Sequence, residues 1–314
     1  MKNKIELKTS LPKTIYTDIV GLADPMLLGV TIRYYNYSDN TLYMQIIGGG
    51  TYWNNHTVNL GSLGSGNSTY ANLDNFLSRA VPATARNETI NLTLKAYTDV
   101  NYTALAYTFT RTVDVIFIKS NDSSWTTDFA DNFDDSTVMN WTSYKEYGQD
   151  CSILEPLKTT STYAISSPNS LYSHLYGDPA QHTCHLITGE YQQSIYKTFA
   201  LPNRDTIYAV FNLRFASGHL PFVDIYTDAC GFQYLKIKAN NTDILMQLGY
   251  LSNSAYEIIP RNRWIRIVVP LSSYKNAATE LRVFLDVYFR DGQPICEYST
   301  LSIIFLDDFR IISK

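Results

Sequence analysis

Alternating hydrophobic and polar positions predict β-strands along the whole chain, and no stretch keeps the 3.6-residue period of a long helix. Turn-forming clusters separate these segments, among them YSDN at 37–40, GGG at 48–50 and GSLGSGNS at 61–68. In the first third, the predicted strands lie in KIELKT, LLGVTIRYYNYS, TLYMQIIGG, HTVNLGSL, ETINLTLKAYTD and ALAYTFTRTVDVIFIKS. The pattern therefore predicts an all-β protein.

The polar segment KSNDSSWTTDFADNFDDS interrupts the strand pattern and marks a domain boundary. Six or seven short strands before it are typical of an immunoglobulin-like sandwich. Nine strand segments follow it, from SLYSHLYG to SIIFLDDFRIIS, and they favour a larger jelly-roll sandwich. We therefore expect an Ig-like domain over residues 1–120 and a jelly roll over residues 121–314.

The composition excludes several classes of function. Charged residues make up 17% of the chain, below the ~25% usual for soluble domains, and the net charge is −4. This balance gives no basic face for nucleic acid, and no apolar run approaches the ~20 residues of a membrane span. No phosphate-binding glycine loop, HExxH or GxSxG motif is present, so we expect no enzyme.

The pattern Asn-x-Ser/Thr occurs nine times and favours a glycosylated protein outside the cell. A Thr- and Asn-rich β surface in which the pattern arises passively is the alternative. The start, MKNKIELKTS, lacks the apolar region of a secretory signal, so a signal has been removed or export takes another route. The candidate glycosylation sites are Asn36, Asn55, Asn67, Asn87, Asn91, Asn101, Asn121, Asn140 and Asn240.

All four cysteines, Cys151, Cys184, Cys230 and Cys296, lie in the second domain. An even number in one domain of an exterior protein suggests two disulfides. Four cysteines allow three pairings, and we favour Cys151–Cys184 with Cys230–Cys296. Free buried thiols are the alternative.

Four segments of the second domain resemble jelly-roll carbohydrate-binding modules and their concanavalin-like relatives: DNFDDSTVMNWTSY, SSPNSLYSHL, NRWIRIVVPLSSY and IIFLDDFRI. The resemblance implies that the first and last strands lie side by side with a structural calcium between them. Calcium takes six to eight oxygen ligands. The acidic residues of these two strands offer Asp131, Asp134, Asp135, Asp307 and Asp308.

Asp307 and Asp308 are adjacent in an apolar strand, where successive residues point to opposite faces. Only one of them is therefore expected to face a given metal ion, with the other at the surface. The alternative to calcium is a surface Asp pair that is bonded to loop N–H groups or to Arg310.

Four strands of the second domain alternate a core face with a face that mixes Tyr and charge. An aromatic ring against a sugar's C–H face, together with polar side chains for its hydroxyls, is what carbohydrate recognition needs. A plain polar surface and a protein interface are the alternatives. The candidate ligand residues are Tyr208, Arg214, Asp224, Tyr226, Tyr234, Arg282, Asp286 and Tyr288.

Two functions remain. The first, which we favour from the sequence, is a non-enzymatic glycosylated subunit of an extracellular filament, a cell-surface layer or a virion exterior, assembled from copies of the same chain. Its N-terminal KNKIELKTS segment is a candidate strand for donation to a neighbour. The second is a carbohydrate-binding or adhesion module on an Ig-like stalk.

Overall fold

The structure is a computed structural model. The residues that it describes are 5–8, 13–18, 24–25, 31–50, 53–72, 87–147, 152–166, 168–177, 185–216, 230–249, 263–295 and 300–314. Apart from one short 3-10 turn, Ser272–Tyr274, every regular element in these ranges is a strand, which confirms the all-β prediction. The chain divides into two compact units, and the second begins its main segment at Ser120, next to the predicted boundary.

The first unit contains a three-stranded sheet of order β1-β4-β7 and a five-stranded sheet of order β2-β9-β8-β5-β6. Strand β2 runs parallel to β9, and the other pairs are antiparallel. The first nine strands of the chain are β1 (Ile5–Lys8), β2 (Thr14–Asp18), β3 (Asp24–Pro25), β4 (Thr31–Asn36), β5 (Leu42–Gly50), β6 (Trp53–Leu63), β7 (Ser68–Asn72), β8 (Glu88–Tyr97) and β9 (Leu105–Ile118).

The core of the first unit follows from strict alternation. Leu42, Met44 and Ile46 of β5 are buried, and the residues between them are half-buried. Strand β8 repeats the pattern opposite β5. The N-terminal strand β1 pairs with β4 of the same chain, so Ile5–Lys8 completes its own sheet here, and donation of this strand to a neighbour stays a prediction.

The second unit contains an eight-stranded sheet with the main order β12-β14-β21-β16-β19-β3. In addition, β10 pairs with β21 and β13 with β14. A five-stranded sheet has the order β11-β15-β20-β17-β18. The strands are β10 (Thr126–Asp131), β11 (Thr142–Tyr147), β12 (Ser152–Leu154), β13 (Lys158–Thr160), β14 (Ser170–Gly177), β15 (His185–Ala200), β16 (Ile207–Ala216), β17 (Cys230–Ala239), β18 (Asp243–Gly249), β19 (Ile265–Pro270), β20 (Ala278–Ile295) and β21 (Thr300–Ser313).

Aromatic contacts join the two sheets of the second unit into a sandwich. Phe309 of β21 stacks on Phe199 of β15 with ring centroids 5.1 Å apart, and it meets Trp141 at 5.0 Å. Phe211 of β16 lies 5.4 Å from the same ring. All four side chains are buried. Burying a side chain of this size contributes roughly 1.5–3 kcal/mol, so this cluster is a major source of the unit's stability.

The first and last strands of the second unit lie side by side, as the family resemblance implied. Strand β10 pairs antiparallel with β21, from Thr126 opposite Ser313 to Asp131 opposite Phe309. This pairing brings the acidic segments DNFDD and LDDF to the same part of the sheet.

Candidate functional site

The structure divides the predicted ligand residues between two sheets. Tyr208 and Arg214 lie on β16 of the eight-stranded sheet. Tyr234 on β17, and Arg282, Asp286 and Tyr288 on β20, lie in the five-stranded sheet. Asp224 and Tyr226 fall outside the described residues. The candidate ligand residues therefore do not form one surface, because alternation fixes the face of a strand but not the sheet that the strand joins.

Arg214 and Tyr208 make packing contacts in their own sheet. The Arg214 guanidinium lies over the Tyr163 ring at 4.2 Å, and Tyr163 also meets Phe305 at 5.2 Å. Tyr208 makes an edge contact with Trp125 at 5.7 Å. Through these contacts Trp125, just before β10, and Tyr163, before β14, pack against the outward side of the eight-stranded sheet. The protein's own residues therefore cover part of that side.

The five-stranded sheet has a core side, which carries Ile195, Val283, Leu285, Leu235 and Ile237, and an opposite side that we call the outer face. Strand registers fix three rows of residues across the outer face. They are Tyr196–Arg282–Lys238, Tyr144–Ser194–Phe284–Lys236–Gln247 and Gln192–Asp286–Tyr234.

The first row combines an aromatic ring with two cations. The Arg282 guanidinium lies over the Tyr196 ring at 4.2 Å, and its Nε donates to Glu280 at 3.0 Å. Its Nη1 reaches the Ser194 hydroxyl at 3.5 Å. Lys238 is directly opposite Arg282 in the ladder. The guanidinium is thus fixed in orientation by a ring, a carboxylate and a hydroxyl before any ligand arrives.

The second and third rows add an exposed ring and a planar amide. Tyr144 is 53% exposed, which leaves its ring open to solvent. The Lys238 ammonium lies over the buried Phe284 ring at 4.3 Å. Gln192 donates its amide to the Asp286 carboxylate at 2.6 Å, and Asp286 is fully buried. On the outer face Tyr144 is therefore exposed, and Gln192, Tyr196, Lys236 and Lys238 are half-buried, whereas Ser194, Arg282, Phe284 and Asp286 are buried behind them.

Four residues of this face, Tyr144, Gln192, Tyr196 and Phe284, were absent from the sequence-based prediction. The alternation of Tyr196 and Phe284 was visible in SIYKTFAL and LRVFLDVYFR, but Gln192 and Tyr144 lie outside the predicted strands, and the pairing of β15 with β11 and β20 decides that they share the face. Arg282 and Asp286 were predicted correctly to lie together on one side of β20.

A β-bulge in β21 places the adjacent Asp307 and Asp308 in two different environments. Asp307 is fully buried and accepts from the backbone N–H groups of Ile165 and Ser166, at 2.8 and 3.0 Å, and from the Ser166 hydroxyl. Burial raises the pKa of Asp307, and these hydrogen bonds oppose that shift. The ladder between β16 and β21 shifts register at this point, and Asp308 has a φ of +45°.

Asp308 binds two arginines. Its carboxylate lies 2.8 Å from Arg266, whose side chain is only 2% exposed, and 3.4 Å from Arg310. Arg266 also donates to Asn212 at 3.0 Å. The alternative to calcium was a surface Asp pair bonded to loop N–H groups or to Arg310. The structure shows both kinds of bond, since Asp307 accepts from loop N–H groups and Asp308 pairs with Arg310. Asp307, however, is buried and not at the surface.

The DNFDD carboxylates are also engaged by protein donors. Asp131 accepts from Trp141 Nε1 at 3.0 Å and from the Phe133 N–H at 3.1 Å, while burial raises its pKa. Asp134 accepts from Asn132, and Asp135 accepts from Thr137. Among the described residues, no three His, Cys, Asp or Glu side chains are placed to hold a metal ion. Calcium stays a prediction from the resemblance.

Lys197 supplies a positive charge close to Asp131. Its ammonium lies 4.6 Å from the centre of the Phe129 ring and 5.7 Å from that of Trp141, and it donates to the carbonyl of Met139. Burial lowers the pKa of Lys197, and Asp131 partly offsets that shift. The first strand of the unit is thus tied to the five-stranded sheet by charge as well as by aromatic packing.

Asn36 is an exception among the predicted glycosylation sites. It is fully buried, and its amide donates to the carbonyls of Asn40 and Leu63, each at 2.8 Å. Its Oδ1 accepts from the N–H and the hydroxyl of Ser38, the third residue of its own sequon. A glycan at Asn36 is therefore incompatible with this fold.

Most of the remaining candidate glycosylation sites are exposed. Asn55 lies in β6, and its side chain is not among those that the structure describes. The seven exposed asparagines are Asn67, Asn87, Asn91, Asn101, Asn121, Asn140 and Asn240. Cys151, Cys184 and Cys296 lie outside the described residues, and only the backbone of Cys230 is described. The disulfides stay predictions. No helix in the described ranges is long and apolar enough to cross a membrane.

Comparisons with known proteins find distant structural similarities only. No protein-family model matches the chain, and neither does any curated protein. A solved structure from a study of β-sandwich carbohydrate-binding modules covers 92% of this chain and 94% of its own, at 14% identity and a TM-score of 0.33. A module of Caldicellulosiruptor saccharolyticus in complex with mannohexaose covers 58% of this chain and 94% of its own, at 13% and 0.34.

An adhesin domain of Lys-gingipain from Porphyromonas gingivalis is similar at 15% identity and a TM-score of 0.33, over 60% of this chain and 99% of its own. The first two of these three structures are carbohydrate-binding modules by their descriptions. At such low TM-scores they say nothing about which residues bind a ligand, so the functional argument rests on the outer face alone.

Proposed function

We propose that this protein is a carbohydrate-binding module without catalytic activity, and that the outer face of its five-stranded sheet is the glycan site. The observation that carries the proposal is the Tyr196–Arg282 pair, in which an oriented guanidinium stacks on a half-buried ring, in the row next to the exposed Tyr144. Rings stack on the C–H faces of sugars, and fixed planar donors select hydroxyl groups.

Neighbouring residues support this proposal. Gln192 and Asp286 add a bonded amide and carboxylate in an adjacent row, and Tyr144 adds an exposed ring. A site whose polar groups are already oriented loses little conformational freedom when it binds. The opposite sheet is a poorer candidate, because the chain's own residues Tyr163, Ile165 and Ser166 contact its outward side.

The location outside the cell belongs to the same proposal. Seven exposed sequons and a low content of charge suit a secreted or surface protein. The glycosylated structural subunit of a filament, surface layer or virion stays as the second candidate. The exposed sequons favour it, and it predicts self-association in place of sugar binding.

The test is a glycan array probed with the whole protein, followed by calorimetry on any glycan that binds. We expect binding that is lost in a variant combining Tyr144→Ala with Tyr196→Ala. Tyr208→Ala is the matched control, because Tyr208 belongs to the eight-stranded sheet, and we expect it to bind like the wild type.

Absence of binding to every glycan, with the variants folded by circular dichroism, would overturn the proposal. Ordered polymers of the wild-type protein in electron micrographs would then favour the structural subunit. Loss of binding in Tyr208→Ala with retention in the double variant would instead move the site to the other sheet.

A further inference from the structure

Around Arg282 the outer face carries a local excess of positive charge, although the whole chain has a net charge of −4. The described side chains of the face are three cations, Lys236, Lys238 and Arg282, and two acids, Glu280 and Asp286, and by register Glu190 adds a third acid farther along β15, opposite Tyr288. Glu280 and Asp286 are already committed within the face. Glu280 lies 3.0 Å from Arg282, and Asp286 accepts the amide of Gln192 at 2.6 Å.

The arrangement of the cations is unfavourable by itself. Lys238 lies directly opposite Arg282, and Lys236 is two residues along the same strand, on the same face. Like charges that are directly opposite in an antiparallel pair repel each other and destabilise the sheet. Among the described residues Lys238 makes no ion pair, and its ammonium rests on the Phe284 ring at 4.3 Å. An anion beside Lys238 and Arg282 would relieve this repulsion.

We infer that the glycan bound by the outer face is anionic, with a carboxylate or sulfate group that is recognised by Lys238, in the positive field of the neighbouring Arg282. This inference rests on the proposed glycan site and specifies its ligand class. The Arg282 side chain is only 9% exposed and is held by Tyr196, Glu280 and Ser194. Lys238, which is half-buried, is therefore the cation that an anion reaches, and Arg282 adds positive charge beside it. Tyr144 remains exposed for a sugar ring, and Tyr196 is half-buried with one face of its ring covered by Arg282.

The experiment compares binding of the whole protein to polygalacturonate, dextran sulfate, neutral mannan and poly-glutamate at two salt concentrations. We expect at least one of the two anionic polysaccharides to bind more tightly than mannan. Raising NaCl from about 0.05 M to about 0.5 M should weaken that binding, because salt screens exposed charges. The first two probes distinguish a carboxylated from a sulfated ligand.

Two lysine variants test whether Lys238 binds the anionic group of the polysaccharide. Lys238→Gln should weaken binding of the anionic polysaccharide by about tenfold, the usual effect of losing one charge-assisted hydrogen bond. Lys275→Gln is the matched control, since Lys275 is an exposed lysine of the same unit that pairs with Asp205 at 2.7 Å. We expect the control to bind like the wild type.

Binding of mannan alone would overturn the anionic inference and leave the glycan site intact. Equal binding of poly-glutamate and the polysaccharides would also overturn it, since simple charge attraction would then explain the result. No binding to any sugar would overturn both the inference and the proposed function. An unchanged affinity in Lys238→Gln would remove this residue from the recognition of the anion.

Discussion

The carboxylate of Asp307 holds the backbone of Ser166, accepting its N–H at 3.0 Å and also its hydroxyl, across 141 residues of sequence. The residues around Ser166 are irregular in structure, and Tyr163 packs on Phe305 of the same strand as Asp307. One buried carboxylate thereby fixes a loop over the eight-stranded sheet.

The first prediction concerns this contact. Asp307→Asn should lower the free energy of unfolding by about 2 kcal/mol, because an amide N–H replaces one acceptor oxygen and faces donors. Urea unfolding followed by fluorescence measures the change. Asp205→Asn is the control, since Asp205 is exposed, and we expect no measurable effect. Equal stability of the two variants would show that the loop does not depend on Asp307.

Two substitutions at Asp308 separate the contribution of its charge to stability from the contribution of its backbone conformation. Asn tolerates a positive φ, so Asp308→Asn keeps the bulge and removes only the charge beside Arg266. We expect a loss of about 1–2 kcal/mol, because a buried guanidinium loses a partner that is itself partly exposed to water. Asp308→Val should cost more, since a β-branched residue is strained at this φ. A Val variant as stable as the Asn variant would contradict the bulge.

Asn36 provides a prediction about glycosylation. Mass spectrometry of glycopeptides from a host that glycosylates should find Asn36 unmodified, even where exposed sequons are occupied. Asn36→Ala should cost about 2–4 kcal/mol, because it removes a buried side chain with four hydrogen bonds. Asn101→Ala, an exposed sequon of the same unit, serves as the control. A glycan found on Asn36 in folded protein would refute this.

The pH dependence of stability should carry a contribution from His174. Burial lowers its pKa, and Glu155 at 3.3 Å offsets part of the shift. A lowered pKa means that the folded state resists protonation, so this stability is present above about pH 6.5 and is lost as the pH falls. His174→Gln should flatten the curve below about pH 6.5, measured by urea unfolding at each pH. An identical slope in the variant would exclude His174.

Strand register predicts a disulfide pairing different from the one favoured by sequence. His185 and Ile295 face each other in the β15–β20 ladder, and Cys184 and Cys296 directly flank this pair in the sequence. Neighbouring strands are about 4.7–4.9 Å apart, within the reach of a disulfide. We predict Cys184–Cys296, with Cys151–Cys230 as the second bond. Peptide mapping without reduction decides, and a Cys230–Cys296 peptide would contradict the register argument.

The sequence by itself determined the all-β class and the core side of most strands. Residues such as Leu42, Met44 and Ile46, or Ile207, Ala209 and Phe211, alternate with a period of two, and burial of apolar surface requires that period to face inward. It also indicated the break before Ser120, where a polar segment cannot fill a core.

Only the tertiary structure decided which strands share a sheet. That choice separated Tyr208 from Arg282 and brought Tyr196 beside Arg282, because pairing joins residues far apart in sequence. It also decided the roles of Asp307 and Asn36. A strand pattern cannot show that a loop more than a hundred residues away supplies donors, or that a sequon asparagine is enclosed by carbonyls, since both depend on chain segments that meet only after folding.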